Sequence, residues 1–386
     1  MKKIAFINQR YGAEVAGGSE AYTKAMAEHL ATYFRDDVKV EVLTSKAIDF
    51  KTWRNAYEKD EEIINGVLVR RFSVKRERSR VIQRGTQILM HNLHIHTRFL
   101  EEWRLKGRGP YVPELVQYIK DHKDEYDAFI FVTYMYYPAY FGAKEVYDKA
   151  YFVPTAHDEE PIYMNVFKDL FTKVRGIIYL TEEEKKLAHR LFHNEAVKHQ
   201  VIGMGIETPE NVDVEQFCQK FGIAGKYLLY AGRVNEEKGC KELIDYFEKW
   251  NKDKEYSLVL MGKTTMEIPK SEDVKYLGFV SEEDKYAGMK GAEIICLPSK
   301  YESFSISLLE GMSYGIPGLV NGNCPVLKQH MQLSDGGIAY TNYEEFSNGL
   351  NKLLEERKQF GKNAAEYVKK QYFWEEICKK FEDFID

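Results

Sequence analysis

PSKYESFSISLLEGMSYGIP, residues 298–317, decides the reading of this chain. The run before it, EIICLP, is short and apolar and reads as a buried strand. From Ser305 onward, Leu308, Leu309 and Met312 recur at helical spacing until Gly315 and Pro317 stop the helix. Glu302 therefore falls in a strand-to-helix turn, and Glu310 falls on the second turn of the helix. A carboxylate in an otherwise apolar stretch needs a partner or a ligand, because a bare desolvated charge is costly. In a parallel α/β sheet the turn after a strand is also where ligands bind.

The same strand–helix alternation extends outward in both directions. Around this stretch, 227–231, 257–261, 274–277, 294–297 and 318–320 read as strands. Helices open near positions 238, 282, 305 and 343. In the first half, 4–8, 38–44, 128–134, 151–154 and 176–180 read as strands, and 18–33 and 113–120 carry helical periodicity. Asn65-Gly66 marks a hairpin inserted at 63–72. Thr181 to Glu184 reads as a capping box that opens another helix. Between the halves, GMGIETPEN (203–211) breaks the pattern like a linker. The fold class is α/β, with two Rossmann-like doubly wound domains facing across a cleft. The last segment, YFWEEICKKFEDFID, places Phe373, Ile377, Phe381 and Phe384 on one helical stripe.

Composition narrows the function. A chain of 386 residues with 44% hydrophobic residues suits two cored domains. A net charge of −5 and a pI near 6.1 argue against nucleic acid as a partner. No apolar run reaches the length of a membrane span, and the four apolar residues after Lys2 and Lys3 are too few for a signal peptide. Five scattered cysteines without CxxC spacing fit a reducing, cytoplasmic setting without structural zinc. One region departs from the acidic average. Residues 75–108 hold nine Lys and Arg against three Glu, a net of +6 that leaves −11 elsewhere. That segment is either a surface for an anionic acceptor or phospholipid headgroup, or a solvated helix face.

Three further stretches carry candidate chemistry. After strand 227–231, Arg233 and Lys238 precede a helix, a pattern suited to a phosphate held by charge-assisted bonds and helix-end amides. After the first strand, loop 9–15 runs into Gly17-Gly18-Ser19, where two glycines let a ligand approach the backbone. His157 and Asp158 follow strand 151–154 at its carboxyl end. No GxGxxG follows the first strand or strand 227–231, which disfavours a nicotinamide or flavin enzyme. No Asp-x-Asp occurs, so a carboxylate-paired metal–diphosphate site has no support.

Together GGSE (17–20), AHDEE (156–160), GRVNEEKG (232–239) and the Glu-x7-Glu element ESFSISLLE (302–310) resemble the retaining glycosyltransferases of family four, which have the GT-B fold. The resemblance covers essentially the whole chain. It implies an acceptor-side domain over 1–203, a nucleotide-sugar-binding domain over 204–368, and a helix over 369–386 that returns to the first domain. It implies catalytic roles for Arg233 and Lys238 on the donor diphosphate, for Glu302 facing the transferred sugar, and for His157 near the reacting carbon. Glu310 would bind the ribose hydroxyls. The backbone at Ser303, Phe304 and Ser305 would meet the sugar and β-phosphate, and the Gly17-Gly18 turn would close over phosphate or acceptor. The family commonly has Gly at the positions of Ser303 and Ser305.

The implied reaction is metal-independent transfer from a UDP- or GDP-sugar, with no further cofactor, to a glycan or lipid-linked glycan acceptor in envelope or other glycan synthesis. The enzyme would be cytoplasmic and in peripheral contact with an anionic membrane, met through 75–108 and the tyrosines of 134–140. Most of those tyrosines are equally explained as core. Two alternatives use the same scaffold: another nucleotide-sugar or sugar-phosphate enzyme, and a catalytically idle nucleotide-sugar-binding subunit of a glycan-synthesis complex.

Overall fold

The computed structural model describes residues 1–15, 17–35, 37–92 and 95–386. The chain divides into two compact units, Met1–Gly205 with Trp374–Asp386, and Ile206–Phe373. In the first unit the strands are β1 (Lys2–Ile7), β2 (Val38–Ser45), β3 (Glu61–Ile64), β4 (Val67–Phe72), β5 (Ala128–Val132), β6 (Ala150–Val153), β7 (Gly176–Tyr179) and β8 (His199–Val201). They form one sheet in the order β3-β4-β2-β1-β5-β6-β7-β8. Every pair is parallel except β3 with β4, the Asn65-Gly66 hairpin. Asn65 and Gly66 both have positive φ, 48° and 82°, as the tight hairpin turn requires.

The second unit contains β9 (Lys226–Ala231), β10 (Tyr256–Met261), β11 (Val274–Gly278), β12 (Ile294–Leu297), β13 (Gly318–Asn321) and β14 (Gly337–Tyr340), all parallel, in the order β11-β10-β9-β12-β13-β14. The central strands of both sheets are buried along their length, because helices cover both faces.

Strand order reverses direction at one place in each sheet, between β1 and β5 and between β9 and β12. Beyond the carboxyl ends of such strands the connecting helices diverge to opposite faces and leave a crevice. The loops after β1, β5, β9 and β12 therefore flank the two positions where a doubly wound sheet takes ligands. Four sequence stretches lie there: 9–20, 133–136, 232–239 and 298–305.

The last helix is Trp374–Ile385 and belongs to the first unit. Ile377, Phe381 and Phe384 are buried, with Phe381 stacked on Phe6 at 5.9 Å. Burying each such side chain contributes about 1.5–3 kcal/mol. Phe373 is a correction to the expected stripe: it precedes the helix and is 55% exposed. Trp374 docks in its place, stacked on His29 and lying over Gly205, where any β-carbon would collide with the indole. The unit boundaries also fall later than 203 and 368, because Arg357–Gln371 is one continuous helix whose buried face includes Ala364 and Val368.

Among the described residues no helix is long and apolar enough to cross a membrane. The five cysteines are all free thiols.

Candidate active site

In the second unit the loops after β9 and β12 meet through Lys238. Its ammonium lies 2.7 Å from Glu302 Oε1 and donates to the Tyr301 carbonyl at 3.1 Å. The Lys238 backbone N–H is held by Asn235 Oδ1 at 2.8 Å, which fixes the turn that aims the side chain. Gly239 has φ 75°, and a β-carbon there would sit 2.5 Å from the Pro298 carbonyl oxygen. Only glycine lets the two loops approach this closely. Arg233 is exposed, and among the described residues its guanidinium makes no ion pair. The Tyr230 hydroxyl donates to the Arg233 carbonyl at 2.7 Å and anchors its backbone.

Loop 298–305 is pinned at both ends. Asn321 Nδ2 donates to the Pro298 carbonyl at 2.9 Å, and His330 Nε2 lies 3.0 Å from the Phe304 carbonyl. A carbonyl only accepts, so Nε2 carries the proton and Nδ1 accepts from the Tyr367 hydroxyl at 2.9 Å. Tyr372 then donates to Tyr367 at 3.1 Å, completing a relay that ends on the backbone of the Glu302–Glu310 element. Burial pushes the His330 imidazole down to about 4, consistent with its neutral role. A lone histidine in PVLKQHMQLS carries no sequence signal for this task.

Ser305 starts the helix Ile306–Ser313 and sits in the left-handed region, φ 66° and ψ 58°. This is the physical reason glycine is common at its position in the resembled family, since a β-carbon there costs about 1–2 kcal/mol. Among the described residues the buried Ser305 hydroxyl has no hydrogen-bond partner. Buried polar atoms without partners are uncommon, and one beside a helix N-terminus fits an incoming anion or sugar hydroxyl. Ser303 is half-buried. The Phe304 ring is buried against Tyr372, so this residue offers a ligand only its backbone.

Glu310 is buried, and its partner is one the sequence did not disclose. Lys285 lies 2.7 Å from Glu310 Oε1, and the Tyr286 hydroxyl donates at 3.3 Å. Burial, followed by the negative charge of Glu310, pushes the Tyr286 phenol far above its usual range.

In the first unit, the loop after β1 carries a network around Glu20. Arg10 pairs with Glu20 Oε1, which also accepts from Gln9 Nε2 at 3.0 Å, while Ser19 Oγ donates to Oε2 at 2.9 Å. A β-carbon on Gly17 would strike the Glu20 carboxylate, whereas one on Gly18 would meet nothing within 4 Å. A side chain at position 17 would therefore have to shift the Glu20 carboxylate, whereas Gly18 leaves open space.

His157 Nε2 lies 3.4 Å from Glu159 Oε2, and the Tyr134 hydroxyl donates to Glu159 Oε1 at 2.7 Å. Burial alone would raise the Glu159 carboxyl, but the bonds from His157 and Tyr134 hold it below its usual range. Glu184 supports the same loop from beneath. Its carboxyl oxygens accept from Ala156 N and Leu180 N at 2.6 Å each, instead of closing the expected box onto Thr181. Thr181 makes its half of the cap, accepting from Glu184 N at 3.1 Å.

Backbone outliers gather at these loops. Thr133 and Thr155, at the ends of β5 and β6, have φ 70° and 50°, and their hydroxyls meet at 3.0 Å. Positive φ is rare for β-branched residues and persists only where surrounding contacts enforce it. Of the tyrosine run, Tyr134, Tyr137 and Tyr140 are core, and Tyr136 faces the loops half-buried. Three residues of the basic run are paired, Lys75 on Glu114 at 2.5 Å, Arg98 on Asp169 at 2.9 Å and Arg104 on Glu160 at 3.2 Å. Its residues 93 and 94 lie outside the described residues. Among the described residues, no three His, Cys, Asp or Glu are grouped to hold a metal ion.

Comparison with known proteins bears directly on the second unit. Residues 213–371 match the family model Glycosyl transferases group 1. An uncharacterized glycosyltransferase of Methanocaldococcus jannaschii is 26% identical over 228 residues, 53% of this chain and 58% of that protein. The chain thus aligns with little more than half the length of that relative. Solved structures match over nearly the whole chain. Sucrose-phosphate synthase from Thermosynechococcus elongatus has a TM-score of 0.72 at 16% identity, covering 99% of this chain and 98% of the other. HepE of Anabaena, solved in complex with UDP-glucose, has a TM-score of 0.70 at 16% identity and 99% coverage of both chains. At such identities the likeness concerns the fold. Residues 213–371 therefore match the glycosyl transferases group 1 family, within a chain that has the GT-B fold.

Proposed function

We propose that this chain is a retaining, metal-independent glycosyltransferase that moves a sugar from a UDP- or GDP-sugar to an acceptor hydroxyl in envelope or other glycan synthesis. The observation that carries the reading is the cluster at the β9/β12 switch point. Arg233, Lys238, the amides entering helix Ile306–Ser313 and the partnerless Ser305 hydroxyl occur together where a doubly wound sheet takes an anionic ligand. The family match over the same unit supports it. So does the neighbour solved with UDP-glucose, by analogy of fold.

The chemistry follows from where charge develops. As the bond between the anomeric carbon and the diphosphate oxygen breaks, electrons move onto the leaving phosphate. Arg233 and Lys238 stabilise that charge without reorganising. The acceptor oxygen attacks the same face of the sugar, and its proton passes to the departing phosphate, which accounts for retention. Lys238 is held by Glu302 at 2.7 Å, so donor phosphate shares or replaces this contact. That exchange would free the Glu302 carboxylate to face the sugar. Glu310, oriented by Lys285 and Tyr286, accepts from the ribose hydroxyls. In the first unit, the loops carrying His157 and Gly17-Gly18 are the proposed acceptor contacts.

The test is release of nucleoside diphosphate from a panel of UDP- and GDP-sugars with mixed glycan acceptors. Acceptor-dependent release that falls sharply in Arg233→Ala and Lys238→Ala supports the proposal. Undiminished release in both variants would overturn it.

A further inference from the structure

In the first unit, two arginines with no carboxylate partner flank a tyrosine at the β1/β5 switch point. Arg78 lies after β4, and its guanidinium makes one long bond, 3.4 Å to the Phe50 carbonyl. Arg108 ends the helix Arg98–Arg108, and its guanidinium donates to the Met135 sulfur at 2.9 Å. The Nε atoms of both are buried without a hydrogen-bond partner. Among the described residues neither has a carboxylate within ion-pair distance.

The same elements enclose Tyr136 and Trp53. The Arg108 guanidinium lies 5.8 Å from the Tyr136 ring centre, and Trp53 meets that ring edge-on at 5.5 Å. Trp53 Nε1 donates to the Arg108 carbonyl at 2.7 Å, and Arg78 N donates to the Thr52 carbonyl at 2.9 Å. Trp53 itself is held at φ 64°, a further backbone outlier on this edge.

The nearby acidic groups hold their hydrogen bonds elsewhere, although Asp49 acts through space on Arg78 and Glu159 on Arg108. Glu20 is taken by Arg10, Gln9 and Ser19. Asp49 accepts from Lys51 N, Thr52 N and Thr52 Oγ1. Glu159 accepts from Tyr134 and faces His157. Burial, followed by the positive charge of Arg108, disfavours the charged form of Arg78. A pair of desolvated like charges is unfavourable unless an anion completes it. Guanidinium forks suit planar or tetrahedral oxyanions.

We propose that Arg78 and Arg108, beside the Tyr136 ring, bind a phosphate or carboxylate group carried by the sugar acceptor. The assignment to the acceptor rests on the glycosyltransferase reading above; the anion site does not. The anionic group anchors the acceptor beside His157 and Glu159, the nearest loop after β6.

The test is calorimetric titration of inorganic phosphate into the full chain and into Arg78→Gln, Arg108→Gln and Arg233→Gln. A loss of roughly tenfold or more in affinity is expected in the first two variants, at a site distinct from any phosphate held through Arg233. No phosphate binding, equal binding in all four proteins, or a loss confined to Arg233→Gln would overturn the site. Thermal midpoints separate this role from a structural one. Without ligand, Arg78→Gln and Arg108→Gln should melt at or above the unmodified protein, and a marked drop in both would indicate structural cations instead.

Two further arms distinguish the source of the anion, using glucose 6-phosphate in solution and vesicles containing phosphatidylglycerol. Binding to one of them that disappears in both variants assigns a soluble phosphorylated acceptor or a lipid headgroup respectively. Binding of neither counts against the acceptor assignment. UDP titration runs in parallel. Phosphate held by Arg78 and Arg108 in a protein that ignores UDP would sink the donor reading while leaving the anion site standing.

Discussion

The two units handle charge in opposite ways. In the second, ionic groups form ready-made pairs, Lys238 with Glu302 on the loops and Lys285 with Glu310 on two helices, and Arg233 stands exposed. In the first, Arg78 and Arg108 are half-buried and, among the described residues, have no carboxylate within ion-pair distance, while the neighbouring carboxylates hold their hydrogen bonds elsewhere. Paired groups at an open loop can exchange partners when a diphosphate arrives. Unpaired, desolvated cations are instead a standing demand for an anion. Under the proposed function, the contrast gives exchangeable electrostatics to the donor side and fixed electrostatics to the acceptor side.

The largest expected effect breaks the donor side alone. Arg233→Ala or Lys238→Ala should lower kcat/KM by about 10²–10³, with thermal stability near that of the unmodified protein. Steady-state kinetics against melting curves reads both. A variant that loses stability in proportion to activity would mean the Lys238–Glu302 pair is a structural tie.

The next contrast is titration. His330 in the second unit has its imidazole pushed down to about 4, below its unfolded value, so its unfolded form binds a proton first. The stability tied to it is present above about pH 6.5 and is lost as pH falls toward 4. Glu184 in the first unit is the reverse, pushed up to about 8 by burial despite its two backbone bonds. The stability tied to it is present below its unfolded value and is lost as pH rises through 8. Each unit of displacement corresponds to about 1.4 kcal/mol. His330→Gln should flatten the acid limb of a melting-midpoint profile, and Glu184→Gln the alkaline limb. Identical profiles in both variants would remove the contrast.

Two smaller substitutions sharpen it. Gly17→Ala must displace the Glu20 carboxylate and with it Arg10, whereas Gly18→Ala meets open space. A stability loss of about 1–3 kcal/mol is expected for the first and near none for the second. Denaturant melts decide this. Ser305→Gly should relieve left-handed strain and stabilise by about 1 kcal/mol. An unchanged or lower midpoint would show that the Ser305 hydroxyl has a compensating contact.

The units also differ in how much their sequence disclosed. The second unit's motif residues lie in two short stretches, 232–239 and 302–310, so spacing alone brings them together once strands β9 and β12 are recognised. Its supporting groups, Lys285 and His330, lie on helices whose sequence has no turn or cap pointing at the loops. The first unit's arginine site joins Trp53, Arg78, Arg108 and Tyr136, each from a separate connection. A basic run is visible in the sequence, but which arginines lack a carboxylate is a property of the fold. Thr133 and Thr155 are a stronger case, since β-branched residues never advertise positive φ. The short strands β8 and β14 and the helices Val214–Phe221, Pro325–Ser334 and Arg357–Gln371 were missed because their apolar pattern is brief or diluted by charge.

The most direct measurement is calorimetric binding of UDP and GDP to the unmodified chain and to the Arg233→Ala/Lys238→Ala double variant. If these groups hold the leaving diphosphate, one nucleotide binds the unmodified protein, and affinity falls roughly 10- to 100-fold in the double variant. Equal affinity in both proteins, or no binding of either nucleotide to the unmodified chain, would contradict it.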